Sequence, residues 1–526
     1  MILYNLELVI VVASTLLINQ TAQHIPDSVS SLQTLERIAF GSCYHFAEEY
    51  SSQTTVNEPN TTDPSFIWDL VLSFSPSRLI LLGDQIYVDR GREFYHRIKK
   101  YEVGNELLDI MQRRYQSFSH NIQWQSLIKS INGWSATFDD HDYGADNSDR
   151  TFKYRNESQD LFWNFTMTSD KDPLWPQERN NQTCSRPSGV FSSKTVTLAG
   201  NFTYKIVLLD TRSNKDPVGT VEGDFLGEEQ WQWLEMQLLE SDHKVDLILL
   251  GSSIQILPLH KLLEESWSAF PSARQRLLRL VASARPPVVL LSGDVHMAEA
   301  SKALCTATTA NSTRKFDLWE FTSSGLSHTF TKVIGSGPKP SEGGLLQVSR
   351  GWIHELLWTY YQWIYPAAYR ENKMQDVYRA VHFSLLDLLF HPIDGSHGLL
   401  YRTVDHTGHT VMSKYLPIPL RTDTSPHHLN TINSDDSADD SDSNSLTVEC
   451  KGVKGQVSIA RLLLYRAAVA GPLMLFVVCP LVAVIWFVLA AVWYVLVGSE
   501  RRRRVRLDER YREHQINMLS NTTHQS

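Results

Sequence analysis

The chain has 526 residues, 42% of them hydrophobic and 20% charged, which is an ordinary globular composition with room for one large core or two. A net charge of −9 speaks against a nucleic-acid partner, and no nucleic-acid-binding module is expected. Five cysteines are too few for a disulfide scaffold.

The opening "MILYNLELVIVVASTLLINQTAQ" reads as a secretory signal peptide over residues 1–23, although it lacks Lys or Arg and contains Glu7; a retained N-terminal anchor is the alternative. From Glu36 to Leu420 apolar strands alternate with helical patterns, predicting an α/β domain with a largely parallel sheet. Several strands end in polar clusters. "RIAFGSCYHF" presents Ser42, Cys43 and His45. In "LILLGDQIYVDR" a five-residue apolar run, the mark of a strand buried on both faces, delivers Asp84 and Tyr87 just past its C-terminal edge, where open α/β sheets bind ligands. "WSATFDDHDYGADN" places Asp139, Asp140, His141 and Asp142 after a strand ending at Phe138. "VDLILLGSSIQIL" brings Ser252, Ser253 and Gln255, and "PPVVLLSGDVHMAE" brings Asp294 and His296, whose spacing puts both side chains on one side of an extended segment.

Farther on, "GWIHELLWTYYQWIYPAAYR" (351–370) is dense in Trp and Tyr and predicts a helix that packs on the sheet, caps the site or rests at a membrane interface. Residues 421–460, acidic from Arg421 to Ser445, predict a flexible stalk. Ala467 to Gly498 carries no charge and exceeds the roughly 20 residues a bilayer requires, predicting one transmembrane helix. "RRRRVR" from Arg501 lies in the basic tail 499–526 and places that tail in the cytosol, so the expected protein is a single-pass type I membrane protein with its bulk luminal or extracellular. Sequons at Asn60, Asn156, Asn164, Asn181, Asn201 and Asn311 fit that orientation and predict surface loops. Cys184 and Cys305 are available to pair, Cys450 sits beside the membrane, Cys479 lies within the span, and Cys43 has no evident partner.

Charge supplies the reason to expect a metal site. Asp84, Asp139, Asp140, Asp142, Asp294 and Asp89 would crowd carboxylates together, at heavy cost without cations between them. Imidazole and thiolate donors beside carboxylates suit a transition metal; oxygen donors suit Ca²⁺, Mg²⁺ or Mn²⁺. A two-metal cluster of this kind activates water for hydrolysis of a phosphate ester.

In order, "FGSC", "LLGDQIY", "FDDHD", "LLDTR", "LGEEQWQWLE", "SGDVH" and "EFTSSGLSHT" resemble the PhoD-like (alkaline phosphatase D) branch of the metallophosphoesterases, from about Arg37 to at least Thr329. The resemblance implies a four-layer α/β/β/α sandwich with metals at the strand ends. It makes Asp84 the bridging ligand, with Cys43, Tyr87, Asp139, Asp140, Asp294 and His296 as further ligands. Cys43 and Tyr87 favour Fe³⁺ at one position, with Ca²⁺ at the other; Mn²⁺, Mg²⁺ and Zn²⁺ are the alternatives. A buried free thiol and a core tyrosine are the plain readings of those two residues, and Asp139 either ligates or orients His141. His141 matches the general acid, with Asp142 as the neighbour that raises its pKa. Arg212, past the "LLDTR" strand, would hold the substrate phosphate, with an Asp-paired arginine as the alternative. His45 and His328 read as structural, and Glu228, Gln230 and Trp231 as a helix start. The expected function is a membrane-anchored phosphomonoesterase or phosphodiesterase; the alternative is a non-catalytic binding or adhesion ectodomain that keeps the fold. The complete ligand set favours the enzyme.

Overall fold

The computed structural model describes residues 32–45, 64–89, 105–166, 188–239, 244–259, 264–329, 365–419, 446–455 and 457–473, together with 486 and 489. The chain divides into two compact units, Met1–Leu356 with Ala367–Gln456, and Leu357–Pro366 with Val457–Ser526.

In chain order the first unit contains β1 (Gln33–Gly41), α1 (Phe66–Ser73), β2 (Arg78–Leu82), α2 (Asn105–His120), α3 (Ile122–Ser130), β3 (Gly133–Thr137), α4 (Asp140–Tyr143) and α5 (Arg155–Thr166). There follow β4 (Ser192–Thr197), β5 (Thr203–Leu208), α6 (Gly227–Leu239), β6 (Leu247–Gly251), α7 (Pro271–Ser283) and β7 (Val288–Ser292). The remaining strands are β8 (Ala298–Thr308), β9 (Thr313–Ser323), β10 (Val377–Tyr378), β11 (His382–Phe390), β12 (His397–Asp405), β13 (Thr410–Ile418) and β14 (Thr447–Gly452). Helix α8 (Ile459–Leu473) belongs to the second unit.

The fold is mixed α/β and rests on two sheets. One runs β13-β12-β11-β1-β2-β3, the other β10-β8-β9-β7-β6-β5-β4 with β14 joined to β8. Only the strands that carry the polar motifs are parallel: β1, β2 and β3 in one sheet, and β5, β6, β7 and β9 in the other. The expectation of a largely parallel sheet is corrected here. Tight turns at His391–Ser396 and Asp405–His409 join β11, β12 and β13, and such short connections produce antiparallel pairs.

Alternation along the strands shows why the apolar runs are continuous. Ile38, Phe40, Ile80 and Leu82 enter one core with Ile206, Leu208, Leu249, Leu291 and Phe321 from the other sheet, while Ala39, Leu79 and Leu81 enter a second core with Trp68, Met111, Phe118, Trp124 and Phe165 from the helices. Each strand is therefore covered on both faces. On the helix side Trp68, Phe118 and Trp124 meet at ring separations of 4.7–5.7 Å, an edge-rich cluster that fixes α1, α2 and α3 against the sheet.

The pairing of Cys305 differs from expectation. Its partner is Cys450, opposite it in the antiparallel register of β14 and β8, where facing side chains come close enough to bridge. Cys184 lies outside the described residues. Strand β14 also falls inside the range 421–460 expected as a stalk; the acidic stretch 421–445 itself lies outside the described residues, as do 1–23 and most of 467–498. Among the described residues no helix is long and apolar enough to cross a membrane. Of the aromatic segment, residues 365–370 are described, and Arg370 is buried with its Nε 2.6 Å from Glu299 Oε1. The sequon residues Asn156, Asn164, Asn201 and Asn311 are all exposed, although Asn156 and Asn164 stand on α5 and not in a loop.

Candidate metal centre

Every candidate follows the C-terminal end of a parallel strand. Cys43 comes after β1, Asp84 and Tyr87 after β2, Asp139 to His141 after β3, Arg212 after β5, and Asp294 and His296 after β7. Parallel strands end at one edge, so residues distant in sequence meet there. The backbone bends sharply to present them: Cys43 (φ 62°), Asp84 (φ 57°), Asp294 (φ 68°) and His296 (φ 52°) all adopt the left-handed region. Each such residue costs on the order of 1–3 kcal/mol, a strain typical of functional sites. Gly83, at φ 99°, lets β2 approach the next loop, since a Cβ there would stand 2.5 Å from Asp139 Cβ.

Two triads of ligand atoms result. Asp84, Asp140 and His141 offer atoms within 4.8 Å of one another, and so do Asp139, Asp140 and Asp294. Asp140 is common to both. Asp84, expected as the bridging ligand, belongs to the first triad, and its Oδ2 accepts from Tyr87 OH at 3.1 Å and from Cys43 Sγ at 3.4 Å. His296 N donates to Ser324 Oγ at 2.8 Å, and that hydroxyl lies 3.0 Å from Cys43 Sγ. Seven residues expected as ligands are thus gathered around one edge.

The charges there are strongly perturbed. Burial, with neighbouring carboxylates adding to it, pushes Asp84 and Asp294 well above the usual carboxylate range. Burial likewise raises Asp139 to about 6, although Arg212 opposes it. At Asp140 burial is outweighed by Arg212, His141 and the Asn147 backbone N–H, and its pKa falls to about 2. His141 is held well above the usual imidazole range, burial being overcome by Asp140, Asp89 and Asp84. Burial, reinforced by Asp84, also raises the Cys43 thiol.

Three carboxylate oxygens, Asp84 Oδ1, Asp139 Oδ2 and Asp294 Oδ2, are buried without a hydrogen-bond partner among the described residues. Buried acceptors of this kind are costly unless something electropositive meets them. A cation would satisfy all three, so the residues present fit a metal pair: carboxylate oxygens throughout, with imidazole, thiol and phenol at hand for a transition metal.

Two expected roles differ in their surroundings. Asp142 does not act on His141: its Oδ1 accepts from Ile86 N at 3.0 Å and Tyr115 OH at 3.3 Å, and its Oδ2 closes a capping box with Asp139. The partner of His141 is Asp89, whose Oδ1 lies 2.6 Å from Nδ1 while its Oδ2 accepts from Asp146 N. Arg212 is fully buried, with Nε donating to Asp139 Oδ1 and Nη1 to Glu265 Oε2, both at 2.5 Å, the Asp-paired arrangement, while Nη2 has no hydrogen-bond partner among the described residues. Ser253 Oγ donates to the same Asp139 oxygen at 2.8 Å, whereas Ser252 and Gln255 bond elsewhere in the core. Gln230 secures the turn before Arg212 by bonding both N and O of Asp210 at 2.8 Å. Sequence reasoning missed Glu265, which also forms an ion pair with Lys215 at 2.5 Å; no pattern around it announces the pairing.

Residues 177–340 match the family model described as PhoD-like phosphatase. Among solved structures, the chain is similar to PhoD at 16% identity and a TM-score of 0.41, with 74% of this chain and 72% of that chain covered. It is also similar to purple acid phosphatase PPD1 from yellow lupin (Lupinus luteus) seeds, at 12% identity and a TM-score of 0.37, with 73% and 53% covered. No curated protein matches.

Proposed function

From a chain whose residues 177–340 carry the match to PhoD-like phosphatases, we propose a membrane-anchored, metal-dependent hydrolase of phosphomonoesters or phosphodiesters. The observation that carries the reading is the convergence of three unpartnered buried carboxylate oxygens on two triads that share Asp140. Two facing sheets with helices on the outer side of the first fit the expected α/β/β/α sandwich.

Asp84, Asp139, Asp140 and Asp294 would hold the cations, with Cys43, Tyr87 and His296 beside them; iron with calcium is the favoured pair. Such a pair, when bound, would supply Lewis acidity that lowers the pKa of water and offsets the charge of the phosphate ester. The chain's own residues supply the rest. Asp89 fixes the His141 ring through Nδ1, which leaves Nε2 to give a proton to the leaving oxygen. Arg212 and Ser253 lock the Asp139 carboxylate in one orientation, as supporting partners do around metal ligands.

The reading also places the domain outside the cytosol, behind a signal peptide and ahead of the apolar segment 467–498. A disulfide between Cys305 and Cys450 belongs to an oxidising compartment, and the exposed sequon residues agree with it.

Elemental analysis of the purified full chain, with hydrolysis of a nitrophenyl phosphate monoester and diester by wild type and Asp84→Asn, tests the proposal. Two metal ions per chain and activity lost in the variant are expected. A folded protein with no stoichiometric metal and no hydrolysis after metal supplementation would point to the binding ectodomain instead.

A further inference from the structure

One hydroxyl outside the expected ligand set touches two of its members. Ser324 follows β9 and is fully buried. It pairs as an isolated bridge with Ser42, so the sheet that contains β9 meets the sheet that contains β1 at this residue, on the edge where the ligands gather. Its backbone is fixed from two sides: Ser324 N donates to Met297 O at 3.2 Å, and Leu326 N donates to Ser42 O at 3.1 Å.

The direction of its side-chain hydrogen bonds follows from what each partner can do. A hydroxyl has one hydrogen and two lone pairs. His296 N can only donate, and at 2.8 Å it takes a lone pair of Ser324 Oγ. The hydroxyl hydrogen is thereby left for Cys43 Sγ, 3.0 Å away. The thiol's own proton goes elsewhere, to Asp84 Oδ2 at 3.4 Å. Ser42 Oγ also lies 3.4 Å from the sulfur, but it donates to Ser323 O at the same distance, so its one hydrogen is divided between two acceptors. Ser324 is therefore the nearer and less divided of the two hydroxyls at the sulfur.

A thiol that coordinates a metal loses its proton, and its sulfur is then an acceptor only. A hydrogen bond received there draws electron density from the sulfur, which is one of the levers that tune a thiolate-bound metal. We propose that Ser324 is a positioning residue of the metal centre, its hydrogen held on Cys43 Sγ and its oxygen holding the His296 turn, so that one side chain sets how strongly the sulfur donates to a metal. The inference rests on the phosphoesterase reading with Cys43 among the ligands, and it assigns to the "EFTSSGLSHT" segment a task that the ligands themselves do not perform.

The test uses the full chain, stripped of metal by a chelator and titrated with Co²⁺ as the probe. Wild type is expected to show a sulfur-to-cobalt charge-transfer band that Cys43→Ala lacks. Ser324→Ala removes one oxygen atom. Its band at saturating Co²⁺ is expected at longer wavelength, because sulfur without the hydrogen bond gives up electron density more readily, and Co²⁺ affinity is expected to fall by about 10- to 100-fold. Ser324→Thr keeps the hydroxyl and is expected to restore the band position, while Ser42→Ala is expected to move it less than Ser324→Ala does. An unmoved band in Ser324→Ala would overturn the assignment; so would loss of that variant's native circular dichroism, which would make Ser324 a residue of the fold alone. Wild type that binds Co²⁺ and hydrolyses an ester without any sulfur band would overturn the inference and leave the hydrolase reading intact. Wild type that neither binds metal nor hydrolyses an ester would overturn both.

Discussion

Replacing Arg212 by Met separates two roles that its sequence position left open. Its guanidinium is fully buried between Asp139 and Glu265, with Nη2 4.0 Å from Asp140 Oδ2. Removing one partner of a buried ion pair leaves uncompensated charge and costs about 3–5 kcal/mol. For a domain of roughly 400 residues, unfolding entropy near 2.1 cal/mol/K per residue converts that cost to a fall in Tm of roughly 4–6 °C. Thermal unfolding followed by circular dichroism reads the shift, and elemental analysis of the same sample reads metal occupancy. Arg212→Met is expected to lower both Tm and metal content, because Asp139 loses the donor that orients it. A variant with wild-type Tm and full metal, whose only defect is a raised KM, would refute this reasoning and return Arg212 to the role of phosphate clamp.

Three further outcomes are expected. Gly83→Ala places a Cβ 2.5 Å from Asp139 Cβ on a left-handed backbone, so a loss of about 2–5 kcal/mol with depleted metal should appear in thermal melts and elemental analysis; wild-type values for both would refute it. The Cys305–Cys450 bridge spans 145 residues, so Cys450→Ser should lose up to about 5 kcal/mol in urea unfolding, and a protease site inserted within 421–445 should leave two fragments joined until reductant is added. His382 is fully buried and its pKa is lowered to about 4 by burial, so the unfolded chain binds the proton first as pH falls. Stability should therefore drop by about 3 kcal/mol between pH 6.5 and pH 4, a slope that His382→Asn should remove in urea titrations at each pH.

What the sequence made legible was the set of strand ends. An apolar run closed by Gly-Asp, as at Leu82-Gly83-Asp84, states both burial on two faces and the point where the chain turns toward a ligand. Pairings across the fold were not legible. Asp142 follows His141 by one residue, and adjacency suggested that they interact, yet the first turn of α4 aims Asp142 at Ile86 N and leaves Asp89, 52 residues back, to hold the ring. Cys450 sits in a stretch whose neighbours are polar, and nothing local shows that Val448 and Gly452 continue a strand beside β8. Glu265 was hidden for a similar reason: a surface-type residue in an irregular loop becomes a buried counterion only once β5 brings Arg212 to it.

The run Phe138-Asp139-Asp140-His141-Asp142 shows how tertiary partners assign different chemistry to like residues. Asp142 is engaged by backbone N–H groups and the Tyr115 hydroxyl, and burial raises it to about 7; it builds the turn. Asp139 gives one oxygen to Arg212 and Ser253 and keeps the other unpartnered among the described residues. Asp140, near the positive charges of Arg212 and His141, stays ionised down to about pH 2 and is the atom source common to both triads. Among these three only Asp140 has surroundings that lower its pKa. The contrast with Asp84, which burial raises, follows from the guanidinium of Arg212 beside Asp140.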